Sequence, residues 1–196
     1  MDTNNPYAVS EASIEGAGAH TAPSTTIPFH GVTTRKLSIL MVATVGIYSL
    51  VWFYRNWVRL RDLAAQDVWP IPRSIFGAFT FFRLRNHSQE WFTISDLIVP
   101  SKLANAPVIY LVCAFLSGRG GRAVEDFPVL ELALIVFPLM GQIAAMNTAQ
   151  DAINQLIDGA ADGAPPDDDL GGAAIAAIAL GALFWALILF GTFASV

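Results

Sequence analysis

Hydrophobic and polar positions alternate along this chain in long blocks rather than in short periods. Leu37 to Phe53 carries no charged residue, with Lys36 on one side and Arg55 on the other. A helix needs about 20 mostly apolar residues to cross a hydrocarbon layer of roughly 30 Å. Trp52, Tyr54 and Trp57 close the block, as amphipathic rings do where a helix leaves a bilayer. The stretch 37–54 is therefore expected to be a first span. Three further blocks follow at 102–118, 127–147 and 172–194. The third carries Pro138, which implies a kink near Leu134. In the fourth, Ala173, Ala177 and Gly181 recur at four-residue steps, a pattern that lets helix backbones pack closely.

Between the first and second blocks lies 73–99, where Ile75, Phe76, Phe79 and Phe82 run into Arg83, Arg85, His87 and Glu90. Ionised residues cost about 2.5–3.5 kcal/mol each at a bilayer centre. The segment is therefore expected to form one or two amphipathic helices in the headgroup plane, with a re-entrant hairpin as the rival reading. The Trp69-Pro70-Ile71-Pro72 run before it reads as a tight turn, since proline removes a donor and restricts its predecessor. Residues 1–34 form a polar tail with no apolar run, expected to be disordered, with Asn5-Pro6-Tyr7-Ala8 as a small turn-like island. The fold class that emerges is an all-α integral membrane protein. It has four transmembrane helices, an interfacial amphipathic segment and a disordered N-terminal tail, with 35–196 as a single membrane domain.

Composition supports this. Of 196 residues, 14% are charged, against about 25% in soluble domains. The net charge of −5 hides an early excess of arginine and a late excess of acid, which is not the footprint of a nucleic-acid binder. Cys113 is the only cysteine, so no internal disulfide forms.

Candidate chemistry is sparse. The residues Arg55, Trp57, Arg59, Arg61, Trp69 and Arg73 form a candidate interaction surface, suited to anionic headgroups or a protein partner. A candidate polar stripe comprises Gln142, Asn147, Asp151, Asn154 and Asp158. With four spans, the stretch 151–169 shares a side with the arginine-rich loop, which predicts that Arg59 or Arg61 pairs with the acids of the stripe. The positive-inside rule then sets seven cations of the first and interfacial loops against Arg35, Lys36, Arg119 and Arg122, which leans both termini outside. Asp167, Asp168 and Asp169 precede a helix and suit the positive end of its dipole better than a cation, and Gly118 to Arg122 reads as a plain loop. No metal site, cofactor site or catalytic motif is expected.

The exit Trp52-Phe53-Tyr54-Arg55-Asn56-Trp57 and the turn Trp69-Pro70-Ile71-Pro72-Arg73 are the most specific features of the chain. With Asn5 to Ala8, Lys36-Leu37 and the late Gln142, Asn147, Gln150 and Asn154, they make it resemble an uncharacterised family of multi-pass inner-membrane proteins of Gram-negative bacteria, classed as a domain of unknown function. The stretch 83–106 departs from that pattern. The resemblance implies a location in the bacterial inner membrane and an architecture, and it supplies no activity. The functional readings rank as a partner-binding or membrane-organising protein first and an oligomeric channel or transporter second. A membrane enzyme using His87 comes last. The partners implied are the lipid bilayer, its anionic headgroups, and a second copy or another membrane protein.

Overall fold

A computed structural model describes residues 26–117, 128–160 and 165–193. The Asn5 to Ala8 island, most of the expected tail and the Gly118 to Arg122 loop lie outside them. The described residues are helical, with seven α-helices and no strand beyond a single parallel bridge between Val32 and Asp167. The helices are α1 (Thr34–Ala43), α2 (Tyr48–Leu63), α3 (Pro70–Ile75), α4 (Gly77–Ile94), α5 (Ala106–Ser117), α6 (Pro128–Asp158) and α7 (Gly172–Phe193). A 3₁₀ turn at Ser101–Ala104 precedes α5.

The first apolar block is not one span. Asn147 Nδ2 donates to Ser38 Oγ (2.8 Å), and Trp52 Nε1 donates to Gln150 Oε1 (2.6 Å). In a continuous helix Ser38 and Trp52 would stand about 21 Å apart, whereas Asn147 and Gln150 are about 4.5 Å apart along theirs. The chain therefore doubles back. The reversal falls at residues 44–47, where Val45 (φ 50°) and Gly46 (φ 87°) both take left-handed conformations. Gly46 does so freely, whereas a β-branched residue there is held by its surroundings. The apolar composition of the block gave no sign of this break, because both arms of a buried hairpin are as apolar as a span.

Backbone groups freed at the tip find local partners. Thr44 Oγ1 donates to the Leu40 carbonyl (2.7 Å) and accepts from the Tyr48 amide (2.9 Å), closing α1 and opening α2 with one hydroxyl. The Gly46 amide reaches back to the Met41 carbonyl (2.8 Å). Trp185 Nε1, from α7, donates to the Val42 carbonyl (2.7 Å).

The hairpin is clasped by α6 and α7. Helix α6 runs unbroken through Pro138 for 31 residues. It passes the hairpin from its tip, where Gly46 faces Leu139 and Gln142, to its foot, where Asn154 Nδ2 donates to the Val32 carbonyl (3.0 Å). Helix α7 runs the other way. At Gly181 a Cβ would run into the Ala43 backbone, so glycine is what permits this close approach. Helix α5 lies antiparallel to α6: Leu97, ahead of α5, meets Gly159, and Cys113 lies against Gly141.

Helix α4 covers the outer face of α2. Its buried residues Gly77, Phe81, Leu84, Ser88 and Phe92 follow helical spacing along one side. Gly77 leaves room for the Phe53 ring, and Trp52, Phe53, Phe81 and Tyr110 meet edge to face at centroid separations of 5.1 to 5.9 Å. Most of the segment 73–99 is thus one helix, α4, with one face in the core, while 73–75 close α3 and 95–99 follow α4 without helix. The Trp69 to Pro72 run starts that short helix instead of a turn, since Pro70 takes the first helical position, where no amide bond is lost.

Among the described residues two helices are long and apolar enough to cross a membrane: Val129–Asp158, with mean hydropathy 2.0, and Gly172–Gly191, with 2.5. The expected count of four is corrected accordingly. The first block is divided between α1 and α2. In the second, 102–118, the regular α-helix has 12 residues, about 18 Å of rise and short of a hydrocarbon layer. The tail boundary also moves: Ile27, Phe29 and Val32 are buried, so 26–33 is a packed strap rather than part of a solvated tail.

The Gly181 contact yields a test. Gly181→Leu is expected to force α7 off α1 and lower stability in detergent by about 1–3 kcal/mol. Gly191→Leu, which meets nothing within 4 Å, should change the unfolding midpoint little. Equal effects would show that the close approach is not what holds α7.

Candidate functional site

Besides its buried Ile27, Phe29 and Val32 and its backbone bonds to Asp167, the strap 26–33 is held by polar side chains reaching its backbone. Gln150, fully buried, accepts from Trp52 Nε1 and donates to the His30 carbonyl (3.0 Å) and to Asn154 Oδ1 (2.8 Å). Asn56, also fully buried, accepts from the His30 amide (3.1 Å) and donates to the Trp52 carbonyl (2.9 Å). Arg59 Nη1 donates to the Phe29 carbonyl (3.0 Å). These bonds satisfy backbone groups that would otherwise be stranded in a nonpolar setting, each at a cost of about 1–3 kcal/mol.

Electrostatics at the foot of the hairpin follow from this packing. Arg55 Nη1 donates to His30 Nε2 (3.1 Å), which makes that nitrogen an acceptor and the ring neutral. Burial, with Arg55 and Arg59 nearby, brings the His30 pKa down to about 4. The Lys36 ammonium, 7% exposed, lies 2.8 Å from Asp167 Oδ2 and also donates to the Asp169 carbonyl. The Lys36 hydrogen bond holds the Asp167 carboxyl below the usual carboxylate range. Asp168 accepts from Thr33 Oγ1 and sits 3.8 Å from Arg35. The acidic run is thus engaged by cations of α1 and by the residue that caps it.

A cleft of about 460 Å³ opens here between the hairpin and the start of α7. Lys36, Arg55, Asp167 and Asp169 line it together with Leu40, Tyr48, Val51 and the small residues Gly171 to Ala174 and Ala177. A second cavity of about 400 Å³ lies at the hairpin tip among Val45, Ala114, Leu139, Gln142 and Ile188.

The expected interaction surface does not form one face. Trp57 is fully buried, lying beneath the Arg73 guanidinium (4.7 Å to the ring centroid) and edge-on to His87. Its packing value outweighs the headgroup role read from its position. Arg55 and Arg59 turn to the strap. Arg61 pairs with its neighbour Asp62 at 2.7 Å. The expected pairing of Arg59 or Arg61 with the Asp151 to Asp158 acids is therefore not made; the hairpin directs Arg59 to the Phe29 carbonyl and leaves Arg61 its own neighbour. Trp69 is 77% exposed and stays on the surface with Arg73.

The polar stripe of α6 splits by helical phase. Gln142 donates to Ser117 Oγ (2.9 Å), while Asn147 and Asn154 turn to α1 and the strap. Asp151 and Asp158 face outward. Ala173 and Ala177 line the cleft, and Gly181 carries the α7 contact. Gln150 stands in the sequence only within the late Gln and Asn run that carries the resemblance, one position off the expected stripe, and His30 is a lone histidine in a polar segment, so neither reads as a site residue from the sequence.

His87 Nδ1 lies 3.1 Å from Glu90 Oε2. Ser88 is buried on another side of α4 and donates to the Leu84 carbonyl, so no hydrogen bond links it to His87. Among the described residues no group of three His, Cys, Asp or Glu side chains is placed to hold a metal ion. No protein family, curated protein or solved structure matches the chain.

The neutral His30 gives a pH signature. Its folded pKa near 4 lies below the ordinary value of about 6.5, so the unfolded chain takes up the proton first. Stability is then full above pH 6.5 and falls as the pH drops towards 4, by at most about 1.4 kcal/mol per pH unit. Unfolding midpoints in detergent at pH 7.5 and 5.0 should differ for the wild type and converge for His30→Gln. A wild type unchanged between them would contradict the neutral clasp.

Proposed function

We propose that this chain is a multi-pass membrane protein that acts by binding at the headgroup layer, organising the lipid or partner protein it meets there. The observation that carries this reading is the surface of α3 and the first turn of α4. Trp69, Ile71, Ile75, Phe76 and Phe79 are 59 to 77% exposed, beside Arg73. Soluble surfaces rarely gather so many large apolar side chains in one short stretch, whereas aromatic and aliphatic residues next to arginine suit the boundary between headgroup and acyl chain. The polar residues that a pore would use are engaged otherwise: Thr44 caps the hairpin, and Gln142 and Asn147 hold neighbouring helices.

The membrane placement that fits best has three crossings instead of four. Helices α6 and α7 cross, α5 lengthened by the 3₁₀ turn at Ser101–Ala104 and packed along α6 makes a third crossing, and α1 with α2 forms a re-entrant hairpin that enters and leaves on one side. Irregular backbone at depth is tolerated where its polar groups find partners within the protein, as those of Thr44, Gly46 and Tyr48 do at the tip, while Ile47 presents an exposed apolar side chain. This arrangement brings Arg35, Lys36, Arg55, Arg59, Arg61, Arg73, Arg83, Arg85 and Lys102 to one side. Those are nine of the chain's eleven Lys and Arg residues, and only Arg119 and Arg122, in the α5–α6 connection, are left for the other. The positive-inside rule then makes the strap cytoplasmic and the C-terminal end of α7 external. The resemblance to inner-membrane proteins agrees with that compartment.

Sidedness separates the two counts. An epitope appended after Val196 is expected to be reached by antibody on intact spheroplasts. A thiol at position 35 (Arg35→Cys in a Cys113→Ser background), ahead of the hairpin and with an exposed side chain, should react with an impermeant reagent only after lysis. Both sites answering from the same side would restore an even number of crossings.

Binding is tested by photo-cross-linking from position 75 in native membranes. Capture of lipid or of one distinct protein is expected, reduced several-fold by Trp69→Ala with Arg73→Gln. Capture of nothing but further copies of this chain would replace the reading with a homo-oligomer.

A further inference from the structure

The cleft between the hairpin and α7 is absorbed neither by the clasp nor by the α3 surface. Its mouth is charged and its floor apolar. Lys36 and Asp167 neutralise each other across 2.8 Å. That leaves two charges in the lining without an ionic partner. Arg55 has only the neutral His30 ring beside it, and no carboxylate approaches within 4 Å among the described residues. The Asp169 carboxylate accepts no hydrogen bond from the described residues; only its backbone carbonyl is used, by Lys36. Below these lie Leu40, Tyr48, Val51 and Ala177. Val51 is 40% exposed and its neighbours Leu50 and Ile47 are 43% and 59% exposed, so the apolar side of the cleft continues onto open apolar surface.

We propose that this cleft holds one aminophospholipid molecule. The phosphate diester pairs with Arg55, the ammonium donates to Asp169, and one acyl chain lies along Leu40, Tyr48 and Val51. Charge complementarity selects the occupant. One free cation and one free anion at the mouth match a headgroup bearing both signs, while a purely anionic headgroup would place its charge against Asp169 without compensation. A primary ammonium gives Asp169 three donors, which a quaternary choline cannot. The site rests on the membrane placement above, but it can fail while that placement stands.

The test is lipid retention by the full chain, purified in detergent, stripped, and re-exposed to phosphatidylethanolamine, phosphatidylglycerol or phosphatidylcholine, read by native mass spectrometry. Wild type is expected to retain one phosphatidylethanolamine in preference to the other two. Arg55→Gln should weaken retention by about tenfold or more, the scale of a lost charge-assisted contact. Val51→Trp, which fills the floor without touching a charge, should do the same. Asp169→Asn should keep a lipid but lose the preference over phosphatidylglycerol. Circular dichroism and gel filtration verify that each variant is folded, and Val51→Trp decides the matter if Arg55→Gln is not. Wild type retaining no lipid, or retaining all three equally, would overturn the proposal. So would retention unaffected by Val51→Trp. Sidedness measured as above would identify a failure of the membrane placement separately.

Discussion

An apolar chain that doubles back must find partners for backbone groups that no water reaches, and the rest of this structure depends on how that is met. At the tip, Thr44 serves two helices with one hydroxyl, and Trp185 takes the Val42 carbonyl. At the foot, Gln150 and Asn56 do the equivalent for the strap, using carboxamides that donate and accept at once. Such groups are costly when stranded and directional when satisfied. The hairpin is therefore fixed in one register against α6, and the remaining helices pack around a shape already set.

Fixing the hairpin also fixes the distribution of charge. Because α1 and α2 return to the same level, Lys36 and Arg55 stand together at one end, where Asp167 and Asp169 come up from the connection into α7. In the proposed placement the cations of the first block and those of α3 and α4 then belong to one layer instead of being divided by a span. His30 stays neutral within that layer since it is buried, Arg55 and Arg59 stand beside it, and its Nε2 is needed as an acceptor. Aromatic packing of Trp52, Phe53, Phe81 and Tyr110 holds α4 over the hairpin. The exposed apolar residues of α3 are thereby held at the same end as the charges.

Much of this was legible from residue order. All-helical architecture followed from long apolar blocks without strand alternation. The α7 boundaries followed from a charge-free run of the right length, and the close packing of Gly181 from small residues at four-residue steps. The amphipathic character of 73–99 followed from arginines that no span would accept. These are local properties, set by each segment's own solvation and propensity, so a sequence carries them directly. What the chain order could not reveal was the reversal at 44–47. Whether seventeen uncharged residues cross once or turn back depends on whether other helices supply partners for the broken backbone. Those partners, Trp185, Asn147 and Gln150, come from about a hundred residues or more further along. The burial of Trp57, the strap at 26–33 and the meeting of Arg55 with Asp169 are consequences of that one turn. Only the tertiary structure decided them, because each joins groups whose proximity no local pattern encodes.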